Sequence, residues 1–447
     1  MFQTIIGTIS SFMYSKLLVI LLIGAGVYFT VRTRFPQVRL FKNACGSVME
    51  KPEDKGAISS FQALMVSTAS RVGTGNIVGV SSAICIGGFG SVFWMWVIAI
   101  IGSASALIES TLAQIYKKKG KDGSCYGGPA YYIEAALHCR PLAIVFCVAM
   151  ILTYAFGFNM LASYNLQSTF SVFSFYEAKM SPWIIGGILA VLTGWCLLGG
   201  GSRIVKVTSM VVPVMGIAYI GISLLVVIIN IQNVPAMFVR IFEEAFDFKA
   251  IFGAFSGSAM MQGIRRGLYS NEAGIGSAPN ASASANVSHP VKQGLIQALG
   301  VFIDTLVICS CSAFLMLLAP AEKIEGLMGM DLLQAAMNHH LGYAGVVFIA
   351  VVLFLFSFST FLGILYYARC NVSYVFGDTW KAQTGYKIFL LIMLFIGGVA
   401  AYEFVWELGD LGVGLMTVFN MIAIVPLSGQ AINALKDYET NYKKKKA

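Results

Sequence analysis

The chain is 447 residues long, 57% hydrophobic and only 11% charged, with 30 basic and 21 acidic residues and a formal net charge of +9. That balance excludes a soluble globular domain and a disordered polypeptide, and fits a polytopic helical protein of the lipid bilayer. The excess of basic residues is not a nucleic-acid footprint, because they fall in short clusters between apolar spans and form no basic helix face.

Eleven apolar spans follow one another along the chain. The first covers about 11–31 and ends in Arg32 and Arg34, a stop-transfer flank; no basic residue precedes Lys16, so it does not read as a cleavable signal. The second, 59–88, carries a polar knot near its middle, Arg71-Val72-Gly73-Thr74-Gly75-Asn76. A continuous helix of that length measures about 45 Å, against a hydrocarbon core of roughly 30 Å. Each knot glycine costs about 1 kcal/mol in a helix interior, so the helix is expected to open there. Peptide groups freed at bilayer depth cost several kcal/mol each unless something polar is bound among them. A small zwitterion and a cation meet that demand. The competing reading is a close-packing face, Gly75 to Gly79. Arg71, Thr74 and Asn76 speak against it, because packing needs neither charge nor amide.

Spans at 91–115, 141–169, 182–200 and 205–230 complete one set; 250–263, 292–319, 343–368, 386–402 and 408–432 form another. The predicted organisation is an extra N-terminal helix (1–35), two five-helix halves (59–231 and 250–432) and a basic tail (433–447). Each half opens on a glycine-broken span, the second break being placed at Phe252 to Ser258. An odd number of spans per half makes the halves antiparallel across the membrane. Paired interruptions of that kind point to a midplane substrate site in a secondary transporter. With the N-terminus outside, 24 basic residues lie on the inner side, 5 on the outer and Arg71 within the membrane. This lopsided split puts the C-terminus in the cytoplasm. The inner set includes Arg265 and Arg266, assigned to a loop over 264–290. Between spans, 120–139 predicts a short helix opened by Pro129, and 320–342 an amphipathic segment. The nine cysteines form no C-x-x-C and the four histidines no metal spacing, so neither a disulfide frame nor a metal centre is expected.

A zwitterionic amino acid needs partners for both ends. Amides at Thr74 and Gly75, with the N-terminus of the half-helix starting at Asn76, are candidates for its carboxylate. Carbonyls from Phe252 to Ser256 are candidates for its ammonium, with Phe255 as a wall. Arg71 and Asp304 sit where charge is expensive, and each is expected to pair with the other or with a neighbour such as Glu109. A structural pair and a part in ion coupling both remain open. No H-E-x-x-H, Ser/His/Asp set or pair of carboxylates at one depth occurs, so neither an enzyme nor an organic cofactor is expected.

Several segments resemble the alanine/glycine:cation symporter family, also called sodium:alanine symporters. They are Arg71-Val-Gly-Thr-Gly-Asn-Ile-Val-Gly79, Gly87-Gly88-Phe-Gly90 with Phe93-Trp94-Met95-Trp96, and Gly127-Gly128-Pro129-Ala-Tyr131-Tyr132. Arg203-Ile204 leading to Val212-Pro213, Arg266-Gly-Leu-Tyr-Ser-Asn-Glu-Ala-Gly-Ile-Gly-Ser-Ala-Pro279, His289-Pro290, Gln293-Gly294 and Phe302-Ile-Asp304-Thr305 extend the likeness. The resemblance implies an all-α, leucine-transporter-type fold: ten core helices in an inverted five-helix repeat, plus one. It also implies sodium-coupled uptake of small neutral amino acids such as alanine or glycine, and an ordered inner-gate element at 264–290. Carried over by position, the sodium ligands are carbonyls of Ala69, Val72 and Phe356 with hydroxyls of Ser359 and Thr360. Thr360 also borders the substrate. Five neutral oxygens suit a hard monovalent cation. The chain departs from many relatives at Ile364 (Trp), Ala162 (Gln), Arg369 (Glu) and Ala281-Ser282-Ala283 (Ala-His-Ala). Ile364 and Ala162 fall near the implied pocket and bear on its size. Proton coupling and a larger cargo such as glutamine are variants of this reading; a passive channel for a small neutral solute is the rival class.

Overall fold

In the computed structural model the described residues are 2–52, 54, 57–120, 124–247, 258–400 and 402–442. They are almost wholly helical; a two-residue hairpin, Lys118–Lys119 with Cys125–Tyr126, is the only named sheet among them. The first helix, α1 (residues 2–32), contains a π-helical turn at Met13–Leu18. A short helix, α2 (Phe41–Val48), follows. Next comes α3 (Ser60–Arg71), opened by a reciprocal cap in which Ser59 Oγ accepts from Gln62 N at 3.2 Å and Gln62 Oε1 accepts from Ser59 N at 2.9 Å.

The chain then leaves the helix. Val72 is extended (φ −77°, ψ 90°), and the helix resumes as α4 (Gly75–Gly87), with a π-helical turn over Gly75–Gly79. The break falls where the glycines predict it. Long helices succeed it: α5 (Gly90–Ile115), the short α6 (Pro129–Leu137), α7 (Arg140–Val172), α8 (Ser181–Leu198), α9 (Gly200–Ile229) and the amphipathic α10 (Val234–Ala245). The second half contains α11 (Ala259–Asn271), α12 (Ala278–Ser284), α13 (Pro290–Leu317), α14 (Gly329–Leu341), α15 (Tyr343–Phe376), α16 (Trp380–Gly397) and α17 (Tyr402–Asp437). Among the described residues, seven helices are long and apolar enough to cross a membrane. The helices opened by Pro129 and within 320–342 lie where composition predicts them.

The interruption expected from Phe252 to Ser258 falls, Ser258 apart, outside the described residues, Phe252, Phe255 and Ser256 among them. Within the described residues a further, second break falls at 272–277, between α11 and α12. Glu272 (φ 53°), Gly274 (φ 83°) and Gly276 (φ 86°) all take left-handed conformations there. Residues 264–290 are therefore not a loop beyond a span: they comprise the end of α11, the break, all of α12 and the link to α13. Arg265 and Arg266, counted above among inner-loop charges, stand within α11. Both are paired with Asp410 of α17, which is why the helix tolerates them in a bundle interior.

Candidate functional site

The two breaks meet through one carboxylate. Ser70, one residue before the end of α3, donates to Glu272 Oε1 at 2.8 Å; Ser277, at the start of α12, donates to Glu272 Oε2 at 2.7 Å. Glu272 is fully buried. A second buried acid, Glu109 of α5, receives the peptide groups that the second break sets free, from Gly274 N at 3.2 Å and Gly276 N at 3.1 Å. Asn420 of α17 adds a third donor to it at 2.8 Å. Two of the buried amides bared at the second break are thus satisfied by the protein.

At the first break the accounting is left open. Gly73 N turns to Asn76 Oδ1 at 2.9 Å, and the Asn76 amide donates to Asp304 Oδ1 at 2.6 Å. Asp304 Oδ2 accepts from Ser270 at 2.7 Å and from Thr305 at 2.9 Å. Asn76 therefore serves the loop conformation with its side chain, and Asp304 is a fully buried acceptor with three side-chain donors. Arg71 makes no ion pair with Asp304. Its Nη1 donates to Gln297 (Oε1 at 3.1 Å, the carbonyl at 3.4 Å), while its Nε and Nη2 are buried without a hydrogen bond. A guanidinium so placed is costly unless an anion or a further acceptor meets it.

Ser70, Arg71, Gly73, Thr74 and Gly75 line a buried cavity of about 10 Å3, closed on its other sides by Phe158, Tyr269 and Thr360. That is room for about one water. Phe158 and Tyr269 stack with ring centroids 4.5 Å apart and planes at 13°, and Trp406 leans on Tyr269 at 5.2 Å. Behind the rings, the Arg266 guanidinium lies 4.3 Å from the centre of Trp406 and that of Arg265 lies 4.9 Å from Tyr14. Arg266 reaches Asp410 at 3.4 Å, and Arg265 bonds the same carboxylate.

Of the sequence-derived candidates, Arg71, Thr74, Gly75 and Thr360 border this cavity. Ile364 and Ala162 are buried nearby in α15 and α7 but are not among its walls, and Arg369 makes a long contact of 3.9 Å with Asp378 away from it. α3, whose last turn carries Ala69, packs along α15, which carries Phe356, Ser359 and Thr360, and Val72 follows as the first residue beyond α3. Gly363 lets the two backbones touch at Ala69–Ser70, and Gly73 leaves space that the Thr360 hydroxyl fills. The Thr360 hydroxyl is buried without a hydrogen bond, so its lone pairs are free to meet a cation. The single proton of the Ser359 hydroxyl has the Phe356 carbonyl at 2.9 Å and Met215 Sδ at 3.3 Å as acceptors, which leaves its lone pairs available.

Sequence reasoning missed Ser70, Phe158, Tyr269 and Glu272. One signal was present: Gly73-Thr74-Gly75 at the first break has a counterpart in Gly274-Ile275-Gly276 at the second. Another lies in the backbone alone. Three π-helical turns converge here, Gly75–Gly79 with Asn76, Thr153–Phe158 with Phe158, and Phe302–Cys309 with Asp304. Turns of this kind recur at functional sites because they re-aim side chains off the regular helical path.

Comparison with known proteins gives these features a setting. The sequence profile of the sodium:alanine symporter family matches residues 1–447. The chain is 44% identical over 438 residues to the probable sodium/glutamine symporter GlnT of Bacillus subtilis, covering 98% of this chain and 90% of that one. It is 35% identical over 448 residues to the sodium/alanine symporter AgcS of Methanococcus maripaludis, covering 98% and 97%. The chain belongs to the sodium:alanine symporter family. In fold it is similar to MhsT, whose crystal structure is a complex with L-phenylalanine: TM-score 0.60 at 13% identity, covering 86% of this chain and 89% of that one. The architecture of this family member is therefore leucine-transporter-type, and the protein is a multi-pass membrane transporter.

Proposed function

We propose that this family member takes up a small neutral amino acid, alanine or glycine, by symport with sodium through alternating access. The observation that carries the reading is the opened helix at Val72–Gly73, whose residues line a buried cavity together with an unbonded Thr360 hydroxyl. In this scheme the substrate carboxylate takes the amides of Thr74 and Gly75, and the half-bonded guanidinium of Arg71 adds positive potential beside them. Sodium sits between the end of α3 and α15, held by carbonyls of Ala69, Val72 and Phe356 and hydroxyls of Ser359 and Thr360. The ring stack of Phe158, Tyr269 and Trp406 must part to admit cargo, since a cavity of about 10 Å3 does not hold an amino acid. Asp304, fastened to the first break through Asn76, is placed to report cation binding to α13. The ammonium partners proposed at Phe252 to Ser256 lie outside the described residues.

The two halves of the transporter are taken as 59–231 and 250–432, with the N-terminus outside and the 433–447 tail in the cytoplasm. One sodium entering through 100 mV releases about 2.3 kcal/mol, and a tenfold gradient adds about 1.4. Together these sustain roughly a 500-fold accumulation of a neutral solute, so one ion suffices. Glutamine, the cargo in the name of the 44% identical relative, is the larger alternative. Uptake of labelled alanine into proteoliposomes decides the matter, with sodium replaced by choline at fixed pH and unlabelled amino acids as competitors. Concentrative uptake that survives in choline removes sodium coupling; competition by glutamine but not by alanine or glycine removes the small-substrate assignment.

A further inference from the structure

Remote from the central site, at the end of the bundle that carries Arg32, α1 and α17 leave a cavity of about 480 Å3 between them. Its walls bring together four cations, Arg32, Arg34, Arg39 and Lys436, with one acid, Glu439. Arg39 is already committed: its Nη1 pairs with Glu439 at 2.6 Å, and its Nε and Nη2 donate to the carbonyls of Arg34 and Thr33, both at 3.1 Å. Those bonds hold a turn in which Arg34 and Phe35 have left-handed backbones, φ 59° and 53°. Arg32 keeps its guanidinium near Tyr28, at 3.2 Å from the hydroxyl. Arg32, Arg34 and Lys436 are all exposed, so three cations surround one cavity after its single acid has been neutralised.

The cavity wall itself includes Ile432 and Leu435, and apolar side chains are exposed next to its arginines in the chain. Val31, Phe35 and Val38, which adjoin Arg32, Arg34 and Arg39 in sequence, are 58%, 54% and 67% exposed. Cations around a hollow and bare hydrocarbon next to it match an amphiphile with an anionic head and acyl chains, at the level where a helix leaves the bilayer. A free phosphate ion would use the first feature and ignore the second. We infer that this cavity between the first and last helices is a binding site for the phosphate-bearing headgroup of an anionic phospholipid, which ties α1 to α17.

The test is native mass spectrometry of the full-length, delipidated chain in detergent, titrated with phosphatidylglycerol or phosphatidylcholine. Phosphatidylglycerol is expected to be retained in preference. The combined variant R32Q, R34Q and K436Q is expected to lose about 100-fold in that affinity, and R34Q alone about fivefold, at about 1 kcal/mol for each basic residue near an anionic surface. The charge-keeping variant R32K, R34K and K436R is expected to retain the preference. If the neutralised triple variant does not fold, R34Q and the charge-keeping variant still give the answer. Equal retention of the two lipids overturns the site, as does an undiminished preference in R34Q. Loss of the preference on neutralising Lys443 to Lys446 alone assigns it to the tail and also overturns it. Displacement of phosphatidylglycerol by millimolar inorganic phosphate makes the occupant a free anion and removes the lipid.

Discussion

Replacing Gly73 by alanine tests the core of the site. A Cβ built at this position collides with the Thr360 hydroxyl, and the Thr360 methyl and Cβ lie 3.4 and 3.3 Å away, so the Thr360 side chain cannot keep its rotamer unless the backbone shifts. Overpacking of this kind costs about 1–3 kcal/mol. Thr360 escapes only by rotating, which carries its oxygen away from the end of α3, where the proposed sodium lies. Gly73→Ala is therefore expected to lower the melting temperature modestly and to raise the sodium concentration for half-maximal alanine uptake by tenfold or more. Thr360→Ala removes the obstacle and the ligand together. The double variant Gly73→Ala/Thr360→Ala is expected to regain about 1–3 kcal/mol of stability relative to additivity, yet not to regain sodium dependence. Thermal melts and sodium titrations of uptake in proteoliposomes read both quantities. Additive stabilities, or wild-type sodium dependence in Gly73→Ala, would refute the placement of Thr360 at the cation.

Four further outcomes follow from the same contacts. Asp304→Asn is expected to weaken apparent sodium affinity by about tenfold while the protein stays folded; a stable variant with unchanged sodium dependence confines Asp304 to a structural part. Glu109→Ala strips the acceptor from the Gly274 and Gly276 amides, each buried donor left unpaired costing about 1–3 kcal/mol, and should loosen the second break, seen as faster amide exchange over 272–277. Asp410→Asn leaves Arg265 and Arg266 facing a neutral group in the interior and should cost about 3–5 kcal/mol, so a wild-type melt would count against the pairing. Burial lowers the His289 pKa below its usual value despite Asp437 at 3.2 Å, so the folded protein favours the neutral ring. Its contribution is then present above about pH 6.5 and lost as pH falls through the lower folded value. Melting at pH 5.5 against 7.5 should fall further in the wild type than in His289→Gln, and equal falls would contradict this.

Much of the site was legible because membrane burial makes polar residues conspicuous. Arg71, Asn76 and Asp304 stand out in apolar surroundings, and glycines at 73 and 75 mark a helix that is hard to keep wound. The break at 272–277 escaped a reading from composition because its surroundings, rich in Gly, Ala, Ser and Asn, look like a linker; only the family resemblance marked 264–290 as ordered. Nothing local reveals that Glu109, some 165 residues earlier, is waiting for the Gly274 and Gly276 amides. Arg71 and Asp304 were coupled on the rule that buried charges pair. In the folded chain each finds neutral hydrogen-bonding groups first, Gln297 for one and Asn76, Ser270 and Thr305 for the other.

By itself the amino-acid order determined that the chain lives in a bilayer, that its helices are interrupted, and that the first interruption falls within the Arg71 to Asn76 knot. These follow from hydropathy and from backbone propensities, which act over a few residues. Only the tertiary structure decided that Glu272 ties Ser70 to Ser277, that Phe158 and Tyr269 cap the cavity, and that Arg265 and Arg266 belong to Asp410. Those partners come from helices far apart in the chain, and a low-dielectric interior leaves a buried polar group no choice but the nearest complement that packing brings to it.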